Sequence, residues 1–127
     1  GEAEFRERER RVITDLFPAK PTVIATGGGT FVDEENRRRL KRLGVVVCLV
    51  TSLETILDRV GRNDARPLAQ GDARRRLTEL YELRKPAYGK ADVLVETEGL
   101  TVDQAVSRVS AMIAPHLKGN AAEAAES

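Results

Sequence analysis

Val23-Ile24-Ala25-Thr26-Gly27-Gly28-Gly29-Thr30 is the stretch that decides how this 127-residue chain is read. The residues from Val23 to Thr26 have the continuous apolar and β-branched character of a short strand buried on both faces. Glycine costs a regular element conformational entropy, so three together are tolerated only where the backbone needs unusual dihedrals or something approaches it closely. At the C-terminal end of a strand in an α/β sheet, what approaches is a ligand. The turn carries amides with no side chain over them. The expectation is the floor of a site for a small polar or anionic substrate.

Working outward, residues 4–17 read as a helix with Phe5, Val12, Ile13, Leu16 and Phe17 on a broken apolar face, ended by Pro18 and Pro21. After the glycines, Asp33 is placed to cap a helix. Its first turn holds Glu34 and Glu35, its last turns hold Arg37, Arg38, Arg39, Lys41 and Arg42, and Gly44 follows it. Acid first and base last complements the helix dipole. Residues 45–50 (Val-Val-Val-Cys-Leu-Val) read as a second buried strand. Thr51 and Glu54 have capping-box spacing for a helix closed by Gly61. Residues 62–71 read as an exposed, mobile loop. Asp72 caps a helix running to Pro86, Val93-Leu94-Val95 forms a third strand, and a last helix starts near Val102. Strands alternating with helices imply an α/β fold, a parallel sheet with helices on both faces. Residues 1–117 form one domain on this reading, and residues 118–127 are expected to be a disordered tail with nothing to bury.

The composition narrows the function. With 21 Lys and Arg against 20 Asp and Glu, the net charge is +1, which is not the one-signed field of a general nucleic-acid or membrane surface. Aromatic residues are 4% of the chain, too few for a base-stacking platform. No apolar run reaches the ~18 residues of a membrane span. Cys48 is the single cysteine, so no intrachain disulfide forms and a cytoplasmic setting fits; inside its apolar run it reads as a small buried hydrophobe. His116, the single histidine, is read as a solvent-facing side chain near the end of the chain.

Three arginines stand out by position: Arg6 beside Phe5, Arg66 before Pro67 in the loop, and Arg84 just before Pro86. Guanidinium groups bind carboxylate and phosphate through paired planar hydrogen bonds, so arginines from helix ends and a loop suit an anion above the glycine turn. The segments 1–9, 23–30, Asn63-Asp64-Ala65-Arg66-Pro67-Leu68 and Leu83-Arg84-Lys85-Pro86-Ala87-Tyr88 resemble, in order and spacing, the shikimate kinases. The resemblance runs from Gly1 to about Ile113. It implies a P-loop, nucleoside-monophosphate-kinase-like fold that moves the γ-phosphoryl group of ATP, with Mg2+, to the 3-hydroxyl of shikimate. Arg6 and Arg84 would then clamp the shikimate carboxylate, with Gly27, Gly28 and Gly29 lining the same site. Glu9 would hold the Arg6 guanidinium. Arg66 would lie in the lid as the catalytic arginine, and Arg59 would pack against adenine. The implied parent is a monomer of the shikimate pathway, taking a small-molecule substrate and no nucleic acid or membrane.

The departures from the family pattern carry as much weight. No G-x-x-x-x-G-K-[ST] occurs in the chain, and Gly27-Gly28-Gly29-Thr30 has no Gly-Lys pair after it. The family's aspartate on the reacting hydroxyl has no counterpart either. The expectation is a C-terminal portion of the family's domain, missing its first two strands, with no turnover of its own and no metal ligands. In the family the first strand is the central one, so edges meant to be interior would stand open. Two other readings stay open: a gluconate-kinase-like small-molecule kinase, and a pseudo-kinase that binds shikimate without phosphorylating it.

Overall fold

The computed structural model describes residues 1–63 and 72–126, with side chains for residues 1–61 and 72–117. The expected mobile loop, and with it Arg66, lies largely outside the described residues. The chain divides into two compact units, Gly1–Val46 and Val47 onward.

In the first unit, helix α1 (Glu2–Asp15) and helix α2 (Glu34–Leu43) pack together across a 3-10 turn at Thr30–Val32. Helix α1 is written in charge: Glu2–Arg6, Glu4–Arg8 and Glu7–Arg11 are i,i+4 ion pairs with the acid N-terminal. That is the orientation the helix dipole favours. Its inner face contributes Ile13, which is buried with Phe31 and Leu40 to form the small core of this unit. The Asp33 carboxylate accepts from the Asn36 amide at 3.1 Å and so caps α2, and it also accepts from Arg10 Nε at 2.6 Å, fastening α2 to α1. Burial pushes the Asp33 carboxyl up, but the Asn36 amide and the Arg10 guanidinium outweigh it and leave the group below its ordinary value. Arg39 Nη2 donates to the Leu16 carbonyl at 2.7 Å, closing the end of α1.

Residues 23–26 depart from the sequence reading. They carry no strand pairing, and Val23 is 97% exposed. A strand exists only as one member of a ladder, and among the described residues nothing pairs with this run.

The second unit holds strands β1 (Val47–Val50) and β2 (Val93–Glu96), paired in parallel with Val47 opposite Val93 and Val50 opposite Glu96. The connection between them carries helices α3 (Leu53–Asn63) and α4 (Asp72–Tyr88), which pack on each other; helix α5 (Val102–Glu126) packs on β2. This is the parallel, helix-connected α/β arrangement the alternation of elements calls for. Val93 and Val95 are buried with Leu57 and Ala87, while Leu94 and Leu49 are open to solvent.

Helix α1 lies two residues earlier than the 4–17 reading, and α3, α4 and α5 also differ from it at their ends. The cap of α3 is Ser52, whose hydroxyl accepts from the Thr55 amide at 3.1 Å, not Thr51, and α3 continues through Gly61 to Asn63. Pro86 sits in the last turn of α4, where a missing N–H forfeits a single hydrogen bond, and α4 runs to Tyr88. The backbone of α5 continues through Pro115 to Glu126. At the start of α5, Thr101 and Gln104 form a reciprocal capping box, with Gln104 N donating to Thr101 Oγ1 at 3.1 Å and Thr101 N to Gln104 Oε1 at 2.9 Å.

Glu98, in the turn after β2, ties this unit together. Its carboxylate accepts from the Thr51 and Thr55 hydroxyls and from the Ser52 amide at 3.0 Å, occupying the donors at the start of α3. These bonds, the Thr51 hydroxyl first, hold its carboxyl down to about 2 from an ordinary 4.5. A lowered folded-state value means a stabilisation present in full above pH 4.5 and lost as pH falls toward 2. Urea midpoints measured across that interval are expected to fall more steeply for the native chain than for Glu98→Gln. Parallel curves for the two proteins would dismiss the interaction.

Candidate functional site

The glycine turn has no left-handed residue: among the described residues the one glycine with positive φ is Gly99, at 72°. Close approach is what the triplet serves, and Gly29 shows it. A Cβ placed on Gly29 would stand 2.4 Å from Arg6 Nη2 and 2.7 Å from Arg6 Cζ, far inside contact distance. The guanidinium therefore lies against the bare Cα face of Gly29. Gly27 is different, since a Cβ there would meet only Thr30 Oγ1 at an ordinary 3.9 Å. The backbone hydrogen bonds of the turn engage the carbonyls of Gly27 and Gly29, through Thr30 N and Val32 N at 3.3 Å each, and not their amides.

Arg6 is held from several sides. Its Nε donates to Glu2 Oε1 at 3.0 Å and its Nη1 to Glu9 Oε1 at 2.9 Å, while Cζ lies 5.2 Å from the centre of the Phe5 ring. The hydrogen bonds to Glu9 and then Glu2 raise the guanidinium above its ordinary value, so it is cationic at every working pH. These bonds use Nε and Nη1, while Nη2, Cζ and Nη1 together lie over Gly29. The side chain is 28% exposed, enough for a ligand to reach.

Glu9 and Thr30 stand behind it. Glu9 Oε2 accepts from the Thr30 hydroxyl at 2.8 Å, and Thr30 itself is 2% exposed. Asn36, equally buried, donates from Nδ2 to the Thr30 carbonyl at 3.2 Å. Thr30 and Asn36 were not singled out in the sequence. Their one local signal was position, immediately after the triplet and at the third place of a capped helix.

The structure thus brings together Arg6, Glu9 and the glycine turn in the first unit. Arg59 and Arg84 belong to the second unit. Arg59 is exposed on α3, and Arg84 is half-buried on α4 without a hydrogen bond or ion pair to any described residue. Arg66 lies outside the described residues. A shallow groove of about 460 Å³ in the first unit is lined by Val12, Leu16, Phe17, Pro18 and Ile24 among others; it is apolar and includes neither Arg6 nor the glycines. Among the described residues there is no cluster of His, Cys, Asp or Glu that could hold a metal ion, and no helix is long and apolar enough to cross a membrane. Cys48 is free and half-buried, and burial pushes its thiol up.

A family model described as shikimate kinase matches residues 1–114. A shikimate kinase of Ruegeria pomeroyi is 46% identical over 116 residues, covering 90% of this chain and 60% of the relative. One from Paramagnetospirillum magneticum is 46% identical over 110 residues, covering 86% of this chain and 56% of the relative. One from Caulobacter vibrioides is 49% identical over 98 residues, covering 76% and 49%. The chain therefore spans roughly half to three-fifths of the length of these curated relatives. No solved structure matches it.

Proposed function

The chain belongs to the shikimate kinase family, and on that footing we propose that it supplies the acid-recognition part of an enzyme transferring the γ-phosphoryl group of ATP to the 3-hydroxyl of shikimate. Arg6 receives the shikimate carboxylate through the Nη2 donors that Glu2 and Glu9 leave unused, and the glycine turn lets the ring lie close to the backbone. Glu9 is the residue that orients Arg6. Arg84 is a second carboxylate ligand, Arg59 the residue stacked on adenine, and Arg66 the arginine that meets the transferring phosphoryl group. A monomeric enzyme in the cytoplasm suits the single free cysteine, and the near-neutral charge suits a small-molecule substrate with no nucleic acid or membrane partner.

The described residues do not fit Mg2+, and the chain has no P-loop to cradle the ATP phosphates. No G-x-x-x-x-G-K-[ST] occurs among the 127 residues, and the described part offers no metal cluster. Arg59 and Arg66 aside, their work is binding and orienting the acid. A guanidinium held at Nε and Nη1 by two carboxylates and laid against bare glycine is preorganised, so little side-chain freedom is left to lose when the ligand arrives.

The seating of Arg6 against Gly29 is the observation that carries this reading. Titrating shikimate into 15N-labelled protein tests it. Saturable shifts in residues 27–30 are expected, absent in Arg6→Met and absent when gluconate replaces shikimate. No binding, or equal binding by the methionine variant, defeats the assignment.

A further inference from the structure

Thr30 is buried, polar and absent from every role assigned above. We propose that Thr30 is a positioning residue for acid recognition: its hydroxyl locks the Glu9 carboxylate, and through it the Arg6 guanidinium, over the glycine turn. The substrate half of this inference rests on the function proposed above; the conformational half does not.

A glutamate bound at one oxygen can swing about its last torsion and carry its partner with it, because terminal sp² torsions are broad. Glu9 is bound at both. Oε1 accepts from Arg6 Nη1 at 2.9 Å and Oε2 from Thr30 Oγ1 at 2.8 Å, which fixes the plane of the carboxylate. The hydroxyl is itself anchored. The Thr30 amide donates to the Gly27 carbonyl at 3.3 Å, its carbonyl accepts from Asn36 Nδ2 at 3.2 Å, and the Asn36 amide is fixed by the Asp33 cap at 3.1 Å. A continuous run of hydrogen bonds therefore connects the rigid start of α2 to the exposed tip of Arg6. Such buried networks specify one arrangement when every member is satisfied.

A purely structural reading makes the Thr30 hydroxyl a polar group that found the nearest acceptor. The two readings differ in what moves when the hydroxyl goes. Thr30→Val keeps the shape and removes the donor; Thr30→Ser keeps the donor and loses a methyl group. If Thr30 positions Arg6, the Arg6 Nε–Hε resonance broadens or shifts in Thr30→Val and returns in Thr30→Ser. Shikimate affinity then falls about tenfold in the first variant and recovers in the second, the scale of one hydrogen bond to a charged group. An Arg6 resonance unchanged in Thr30→Val overturns the proposal. Should valine prevent folding, Thr30→Ala against Thr30→Ser makes the same comparison. If the native chain does not bind shikimate at all, the function proposed above fails, while the Arg6 resonance still decides whether Thr30 holds the guanidinium.

Discussion

Replacing Gly29 by alanine is expected to leave the protein folded and to weaken shikimate binding by about 30-fold or more, the scale for removing one partner of a hydrogen-bonded charge pair. The added methyl group would sit 2.4 to 2.8 Å from three atoms of the Arg6 guanidinium. Those atoms are the far end of a flexible side chain, so the conflict is relieved by moving Arg6 and not the backbone. What is given up in stability is part of two ion pairs whose carboxylates are 78% and 15% exposed, on the order of 1 kcal/mol or less for such partly solvated pairs. Binding suffers more, because a displaced guanidinium no longer offers its preorganised donors to a carboxylate. Gly44→Ala, outside the site, is the control: its methyl group meets nothing within 4 Å. Urea melts paired with calorimetric titration of shikimate separate the two effects. An alanine at 29 that binds shikimate as the native chain does would show that the contact of Arg6 with Gly29 is incidental.

Features fixed by neighbours in the chain were legible before any coordinates. Helix α2 begins at the Asp33 cap and ends before Gly44 because its capping groups and charges are a few residues away from the backbone they serve. The same holds for Arg6 and Glu9, three apart on one helix face. The misreadings share a different cause, which is that the deciding partner is far away in sequence. Thr51 and Ser52 compete for one cap, and the spacing to Glu54 or Thr55 does not choose between them. Glu98, more than forty residues on, takes up the Thr51 hydroxyl and the Ser52 amide, and Ser52 remains to cap Thr55. The run at 23–26 has every local mark of a strand, yet pairing is a property of two segments, and the described chain supplies one. Pro86 reads as a stop from its missing N–H, although one lost bond in the last turn of a helix is a penalty packing can absorb. Thr30 escaped for the same reason as the α3 cap. Its acceptor, Glu9, lies 21 residues back on another helix.

Arg84→Met is expected to lower shikimate affinity by a comparable factor, about 30-fold, but with the opposite signature in stability. Arg6 is embedded among Glu2, Glu9 and Phe5, so any change there disturbs the protein's own contacts. Arg84 is half-buried on α4 and makes no hydrogen bond or ion pair with any described residue. A guanidinium partly withdrawn from water without an anion is a desolvation penalty the fold carries with no internal return. Methionine has a similar apolar length and removes that penalty, so the melting temperature of the unliganded protein should stay level or rise slightly. The deficit should appear only with ligand. Native protein gains thermal stability as shikimate is added, by RT ln(1 + [L]/Kd), and the methionine variant should gain far less at the same concentration. Arg84→Lys discriminates charge from geometry, because lysine keeps the charge but loses the planar fork that pairs with both carboxylate oxygens. Lysine restoring most of the shift would make Arg84 a diffuse counter-charge. Lysine failing almost as badly as methionine would make it a bidentate ligand. A methionine variant that melts lower without ligand, and binds shikimate normally, would instead assign Arg84 to the packing of α4 and remove it from the site.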